Sequence, residues 1–418
     1  TAALLANEMK IGWVRQCRPW ALAAWTFLGA GILLGALWSY EELGWGGYWG
    51  WDPVENGSLI PWLTGTAFIH ALMTWQYRGN LKKTTLVLAI ATFGLCNFAT
   101  FLTRSGVFSS LHAFSASPIG WLFLLLLRVL GMVGGGLLVL RWKQLRPDAQ
   151  IPSVLSREAA IVLSTIAFSL LSVVVIAGTL STALSKVVLG QFIMVGPAFY
   201  NNVLVPTGLV LLATTAVAPL LRWGGPPTRV QRQALSAAVL AAATVVMLLL
   251  AMFGLGYWLE SLVVGLAVLA LAALFGALMI ESWKRSLGNP WKGLTQTLRG
   301  AHQQYAGFVI HLGFAAGAIG IAGSSLGSHE QEFVLAKGQR VTWSGYDDRL
   351  VGINQRSEVD KLVGEVELEV SRNGDVETTL SPAQHFPLLR QQWTTEVAIH
   401  SSWSGDFYTI FLREESDG

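Results

Sequence analysis

The chain has 418 residues; 53% are hydrophobic, 13% are charged, and the mean hydropathy is +0.51. Soluble domains carry roughly twice that charged share, so the composition excludes an ordinary soluble enzyme and points to a chain embedded in lipid. The net charge of +3 gives no argument for a nucleic-acid partner, and none is expected.

Nine stretches are long and apolar enough to span a bilayer, for which a helix needs ~20 residues. Their approximate positions are 20–40, 58–77, 84–103, 119–140, 158–180, 201–221, 233–253, 257–280 and 302–326. Basic residues gather in every second loop: Lys10, Arg15 and Arg18; Arg78, Lys82 and Lys83; Arg141, Lys143, Arg146 and Arg157; Arg222, Arg229 and Arg232; Lys284, Arg285, Lys292 and Arg299. The alternate loops hold only Arg104 and Lys186. Short loops rich in Lys and Arg mark the cytoplasmic side, which puts 44–57, 105–118, 181–200 and the tail outside. The chain starts at Thr1 without an initiator Met or a signal pattern, so residues upstream are expected. Cys17 and Cys96 form no CxxC pair and read as inert buried thiols.

Beyond residue 327 charge returns. Alternation of polar and apolar residues from Glu365 to Val370 predicts a half-buried strand. Asn373-Gly374 predicts a two-residue hairpin turn, with Val376 to Leu380 as the returning strand. The fold class is therefore an all-α polytopic membrane helix bundle, residues 1–326, with a small C-terminal extracytoplasmic β domain, residues 327–418.

The outer loop 44–57 carries Trp45, Tyr48, Trp49 and Trp51 with Gly46, Gly47 and Gly50 between them, then Asp52, Pro53, Val54, Glu55 and Asn56. Rings supply rigid apolar area and glycine allows close approach of the backbone. Together they suit a flat macrocycle, or an aromatic belt that anchors a helix end. Asp52 and Glu55 precede a span and suit its N-terminal cap.

His70 and His311 fall inside spans, where an ionisable side chain points to function. At 1.5 Å per helical residue they lie roughly 10 and roughly 14 Å from the inner ends of their spans. Helices running in opposite directions thus bring the two imidazoles to similar depth. They could share one iron, or each could simply be hydrogen-bonded within the bundle. His112 lies in an outer loop, where a neutral imidazole is a candidate axial ligand or ordinary polar surface. Arg104, at the outer end of a span, is a candidate partner for a carboxylate. Arg128, inside a span, is a weaker one, and His302, His329, His385 and His400 read as structural or surface residues.

These residues carry a family resemblance. The loop from Trp45 to Asn56 resembles the WWD motif of heme-handling membrane proteins, with Tyr48 where relatives usually have Trp. The runs 64–70, 104–114, 195–201 and 305–313 resemble segments of the CcmF family of cytochrome c heme lyases, and the resemblance covers essentially the whole chain. It implies an enzyme of the bacterial inner membrane, with its active face in the periplasm, that attaches heme to the CxxCH cysteines of apocytochrome c. It implies a permanent heme b between His70 and His311. It also implies a transit heme at the WWD loop, with Trp45, Gly46, Gly47, Tyr48, Trp49, Trp51, Asp52 and Arg104 around it and His112 as one ligand. Implied partners are membrane lipid, a CcmE-like heme chaperone, apocytochrome c, a CcmH-type thiol-handling subunit and, as an electron donor, quinol. The family carries further spans upstream, another external histidine before the loop and one more span after the β domain, and this chain reads as trimmed at both ends. Alternatives are a CcmC-type heme-delivery protein, a bis-histidine quinol-oxidising redox protein and an unrelated transporter.

Overall fold

The computed structural model describes residues 2–43, 47–108, 117–151, 153–191, 193, 195–286, 289–300, 302–388, 393–403 and 405–414. Trp45, Gly46 and His112 lie outside the described residues. The chain divides into two compact units, residues 1–28 with 51–328, and residues 29–50 with 329–418. The second unit takes in the end of the first long helix and part of the aromatic loop as well as the residues after 328.

The first unit is helical. Its elements are α1 (Ala2–Ala6), the start of α2 (Ile11–Glu42), α3 (Pro53–Arg78), α4 (Lys82–Arg104), α5 (Pro118–Arg141), α6 (Arg157–Leu189), α7 (Pro197–Val217), α8 (Arg229–Phe253), α9 (Trp258–Ser286), α10 (Pro290–Gly300) and α11 (His302–Gly327). Eight helices among the described residues are long and apolar enough to cross a membrane, so the chain is a multi-pass membrane protein. The helix that separates eight from the expected nine is α3. It has 26 residues and the length to span, but Asn56, Thr64, Thr66, His70 and Thr74 dilute its apolar character.

The reason is position. α3 packs against α4 and α6, and Ile60, Leu63, Ala67, Ala71, Leu72 and Trp75 are buried. A helix surrounded by protein can carry polar groups that one facing lipid cannot. α8 is the opposite case: none of its described residues is buried, and Val239, Leu240, Met247 and Met252 are largely exposed, as lipid-facing residues are.

Local chemistry sets the helix ends. Asp52 Oδ1 accepts the Val54 N–H at 2.8 Å and Glu55 Oε2 accepts the Asp52 N–H at 3.2 Å. This is a capping box, as the acidic pair predicts. α3 ends at Gly79 with φ of 68°, a left-handed cap that glycine adopts without steric cost. At this end Arg78 Nε lies 3.0 Å from Glu158 Oε1, and the same carboxylate oxygen accepts the Gly224 N–H at 2.7 Å. Arg157 donates to the Ala218 and Pro219 carbonyls at 3.1 and 3.0 Å. One cluster therefore ties α3, the start of α6 and the turn after α7.

The second unit is a small antiparallel β domain with the outer part of α2. Its strands are β1 (Arg340–Trp343), β2 (Tyr346–Ser357), β3 (Lys361–Arg372), β4 (Asp375–Leu380), β5 (Ala383–Pro387), β6 (Thr394–Glu396), β7 (Ala398–Ser402) and β8 (Gly405–Thr409). The main sheet runs β1-β2-β3-β5-β6, β4 also pairs with β3, and β7-β8 form a separate hairpin. The β3–β4 turn is the predicted Asn373-Gly374, with φ of 54° and 93°, the two positive values that a type I′ turn needs. Tyr346, Val370 and Leu380 form the core. Within this unit Tyr40, near the end of α2, donates to Asp406 at 2.8 Å, and Tyr408 donates to the Leu43 carbonyl at 2.9 Å.

Asp348, on β2, is 7% exposed, and its Oδ1 has no hydrogen-bond partner among the described residues. Burial, then the neighbouring Asp347 charge, push its carboxyl up to about 6. A raised carboxyl pKa means that ionisation costs stability. The cost is absent below the ordinary value of 3.8, grows as pH rises through the window to about 6, and is full above it. Asp348→Asn is expected to raise the β-domain melting temperature by about 5 °C at pH 8. The gain should vanish near pH 4, which a thermal melt of the purified protein at both pH values checks.

Candidate heme site

The intramembrane histidines come together. The ring centres of His70, on α3, and His311, on α11, stand 6.2 Å apart with their planes at 89°. His70 Nδ1 donates to the Thr66 carbonyl at 2.8 Å, and His311 Nδ1 donates to the Gly307 carbonyl at 2.6 Å. Each bond runs back four residues along its own helix. It fixes the tautomer with the proton on Nδ1, and leaves the Nε2 lone pair on the far edge of the ring.

That donor set fits a metal held by a macrocycle. Among the described residues no group of three or more His, Cys, Asp or Glu is placed to hold a metal ion, so those residues offer no cage for a bare ion. A porphyrin supplies four equatorial nitrogens and asks for two axial ligands. With metal–nitrogen bonds of about 2 Å, two axial imidazoles have ring centres roughly 6 Å apart, close to the spacing here.

The surroundings hold α3 in place. Thr66 Oγ1 accepts the Trp25 Nε1–H at 2.7 Å and donates to the Trp62 carbonyl at 2.8 Å. Trp25 and Trp62 stack at 5.4 Å and 17°. Phe168 of α6 lies 5.7 Å from the His70 ring, centre to centre.

The WWD loop divides between the two units. In the second unit Tyr48 is 41% exposed and lies 6.4 Å from Tyr40, and a Cβ on Gly47 would meet nothing within 4 Å. Trp49 is only partly exposed. In the first unit Trp51 has φ of 57°, a left-handed backbone that costs a bulky residue about 1–3 kcal/mol. Its indole stacks on Tyr200 at 4.2 Å and 7°, and such an aromatic pair returns roughly 0.5–1.5 kcal/mol. Tyr200 itself is 1% exposed. Composition gave no sign that Tyr200 reaches Trp51; the only available signal was the resemblance of the run 195–201 to a family segment.

Asp52 was expected among the heme-contacting residues. Its buried carboxylate accepts backbone N–H groups at the start of α3. Arg104 ends α4 and is exposed, and its carbonyl accepts the Ser117 N–H at 3.0 Å.

Residues 8–112 match the family model described as cytochrome C assembly protein. The CcmF protein of Pseudomonas aeruginosa is 35% identical over all of this chain and 63% of its own length. CcmF of Escherichia coli is 34% identical over all of this chain and 63% of its own length. CycK of Bradyrhizobium diazoefficiens, also a cytochrome c-type biogenesis protein, is 34% identical with the same coverage of both. A solved structure titled Cytochrome c Heme Lyase CcmF superposes with a TM-score of 0.73 at 28% identity, covering 96% of this chain and 60% of that one. The chain spans a little under two thirds of the length of these relatives. Along its whole length the chain is similar to CcmF, a protein named for cytochrome c-type biogenesis.

Proposed function

We propose that this chain is the heme-handling part of a cytochrome c heme lyase. The observation that carries the proposal is the His70–His311 pair, 6.2 Å apart with each Nδ1 held on a helix carbonyl, so that the Nε2 atoms would be the ones to ligate a metal. In this reading His70 and His311 hold a resident heme b. When bound, that group supplies one-electron chemistry within the membrane. The chain's own part is to fix the two imidazoles, exclude water around them, and keep their Nδ1 protons on helix carbonyls.

The second heme is substrate. It would rest against the aromatic loop of Trp45, Gly46, Gly47, Tyr48, Trp49 and Trp51, with His112 as one axial ligand and Arg104 facing a propionate. Attachment adds each cysteine S–H of a CxxCH segment across a heme vinyl group. An S–C bond forms, the proton goes to the other vinyl carbon, and nothing leaves. The step needs ferrous iron and thiols held beside the vinyls, so placement supplies most of the acceleration. Apocytochrome c, a CcmE-like heme donor and a CcmH-type thiol-handling subunit are the partners this chemistry requires, and quinol is a candidate source of electrons. The inner membrane of a bacterium, with the loop on the periplasmic side, suits both the basic-loop pattern and the relatives.

The test is reconstitution of the full-length protein with its partners, reduced heme and a CxxCH peptide. A covalent product that stains for heme after denaturation, and shows the hemochrome of a thioether-linked heme, is expected. Heme that transfers but is always extractable by acid acetone would replace this reading with that of a heme-delivery protein.

A further inference from the structure

We propose that Asn56 is a positioning residue for the outer heme site, acting by setting the ring of Trp51. The inference rests on the reading of the aromatic loop as a heme contact.

Asn56 sits one turn into α3, and its side chain is fully buried. Its Nδ2 lies 3.2 Å from the Trp51 carbonyl, 3.2 Å from Thr179 Oγ1 on α6 and 3.3 Å from Tyr200 Oη on α7. One carboxamide thus gathers three helices and the last loop residue before the cap. Its own N–H bonds the Asp52 carbonyl at 2.9 Å, so its position follows from the helix start. Thr179 is anchored in turn by its bond to the Val175 carbonyl at 2.7 Å.

Trp51 needs such a hold. Its backbone is left-handed, a conformation that the local sequence does not favour for a tryptophan. The amide of Asn56 on its carbonyl and the ring of Tyr200 on its indole help to keep it there. Both hang on the same carboxamide, since Asn56 also bonds the Tyr200 hydroxyl. The Tyr200 ring passes close to α6. A Cβ on Gly178 would stand 2.6 Å from the Tyr200 ring and 2.7 Å from its hydroxyl, so α6 has a glycine where that ring passes. The arrangement sets the tilt of one indole, and a flat substrate against that indole would inherit the tilt.

The experiment is a hemin titration of the purified full-length parent, with Asn56→Ala, Tyr200→Phe and Trp51→Ala beside it. Binding is followed by absorbance, and the orientation of bound heme by its induced circular dichroism in the Soret band. Asn56→Ala is expected to weaken hemin about tenfold and to change the induced signal, while the low-spin spectrum of the His70–His311 heme stays as in the parent. Tyr200→Phe keeps the stacked ring, loses the hydroxyl, and should shift both readouts in the same direction by less. It carries the test if Asn56→Ala does not fold. Hemin affinity and induced signal unchanged in Asn56→Ala, or in Tyr200→Phe where only that variant folds, but weakened in Trp51→Ala, would overturn the role of Asn56 alone. No change in any of the three would overturn the heme reading of Trp51 with it.

Discussion

His311→Ala is expected to remove the resident heme, and His70→Ala to remove it to the same extent. Two imidazoles on one iron form a unit: without either, the iron loses its low-spin state and the macrocycle loses one of its two tethers. The purified variants should retain less than roughly a tenth of parental heme, given that even outer-shell changes cost 10–100-fold in metal affinity. A pyridine hemochrome assay counts the heme, and oxidised and reduced spectra report the spin state. Glycine at either position, with free imidazole added, should restore part of the low-spin spectrum, because the space left is that of the missing ring. A parent without tightly held heme, or a His311→Ala variant with a parental spectrum, would refute the pairing despite the 6.2 Å geometry.

Glu158→Ala should be the most damaging change away from that site. Glu158 is completely buried and is paired with Arg78, whose side chain is 32% exposed. Its carboxylate also takes the Gly224 N–H. Truncating one member of a buried ion pair costs about 3–5 kcal/mol, because the other charge is left in a poor medium. Arg78 can reach some water, which puts the expectation near 3 kcal/mol. Glu158→Gln keeps an acceptor for Gly224 and should lose less. Thermal unfolding in detergent orders the variants as parent, Gln, Ala. Equal midpoints would mean that the cluster joining α3, α6 and the turn after α7 contributes no stability.

Hydropathy made most of the bundle legible, because lipid demands long apolar helices and little else. The capping pair Asp52 and Glu55 and the turn at Asn373-Gly374 were legible for local reasons: each needs only residues a few positions apart. The matched depth of His70 and His311 followed from counting along two helices. Other features were hidden by distance. Asn56 and Tyr200 are 144 residues apart, and no local pattern foretells which helices meet. α10 was missed because eleven residues with Lys292 and Arg299 look like a polar loop. β5 to β8 were missed because strands of three to five residues are too short for alternation to show.

The two tyrosine bonds between the end of α2 and β8 also bear on how the chain is made. Tyr40 and Asp406 are 366 residues apart, and the helices α3 to α11 lie between them in the chain. At roughly 5–20 residues per second, a ribosome needs on the order of tens of seconds to pass from one to the other. The bonds of Tyr40 and Tyr408 therefore close only after those helices have been made. The aromatic loop begins directly after Leu43, so the stem of that loop is secured by a hairpin that emerges after all of those helices. A nascent chain would thus carry an unfinished loop until well after α3 to α11 had been made.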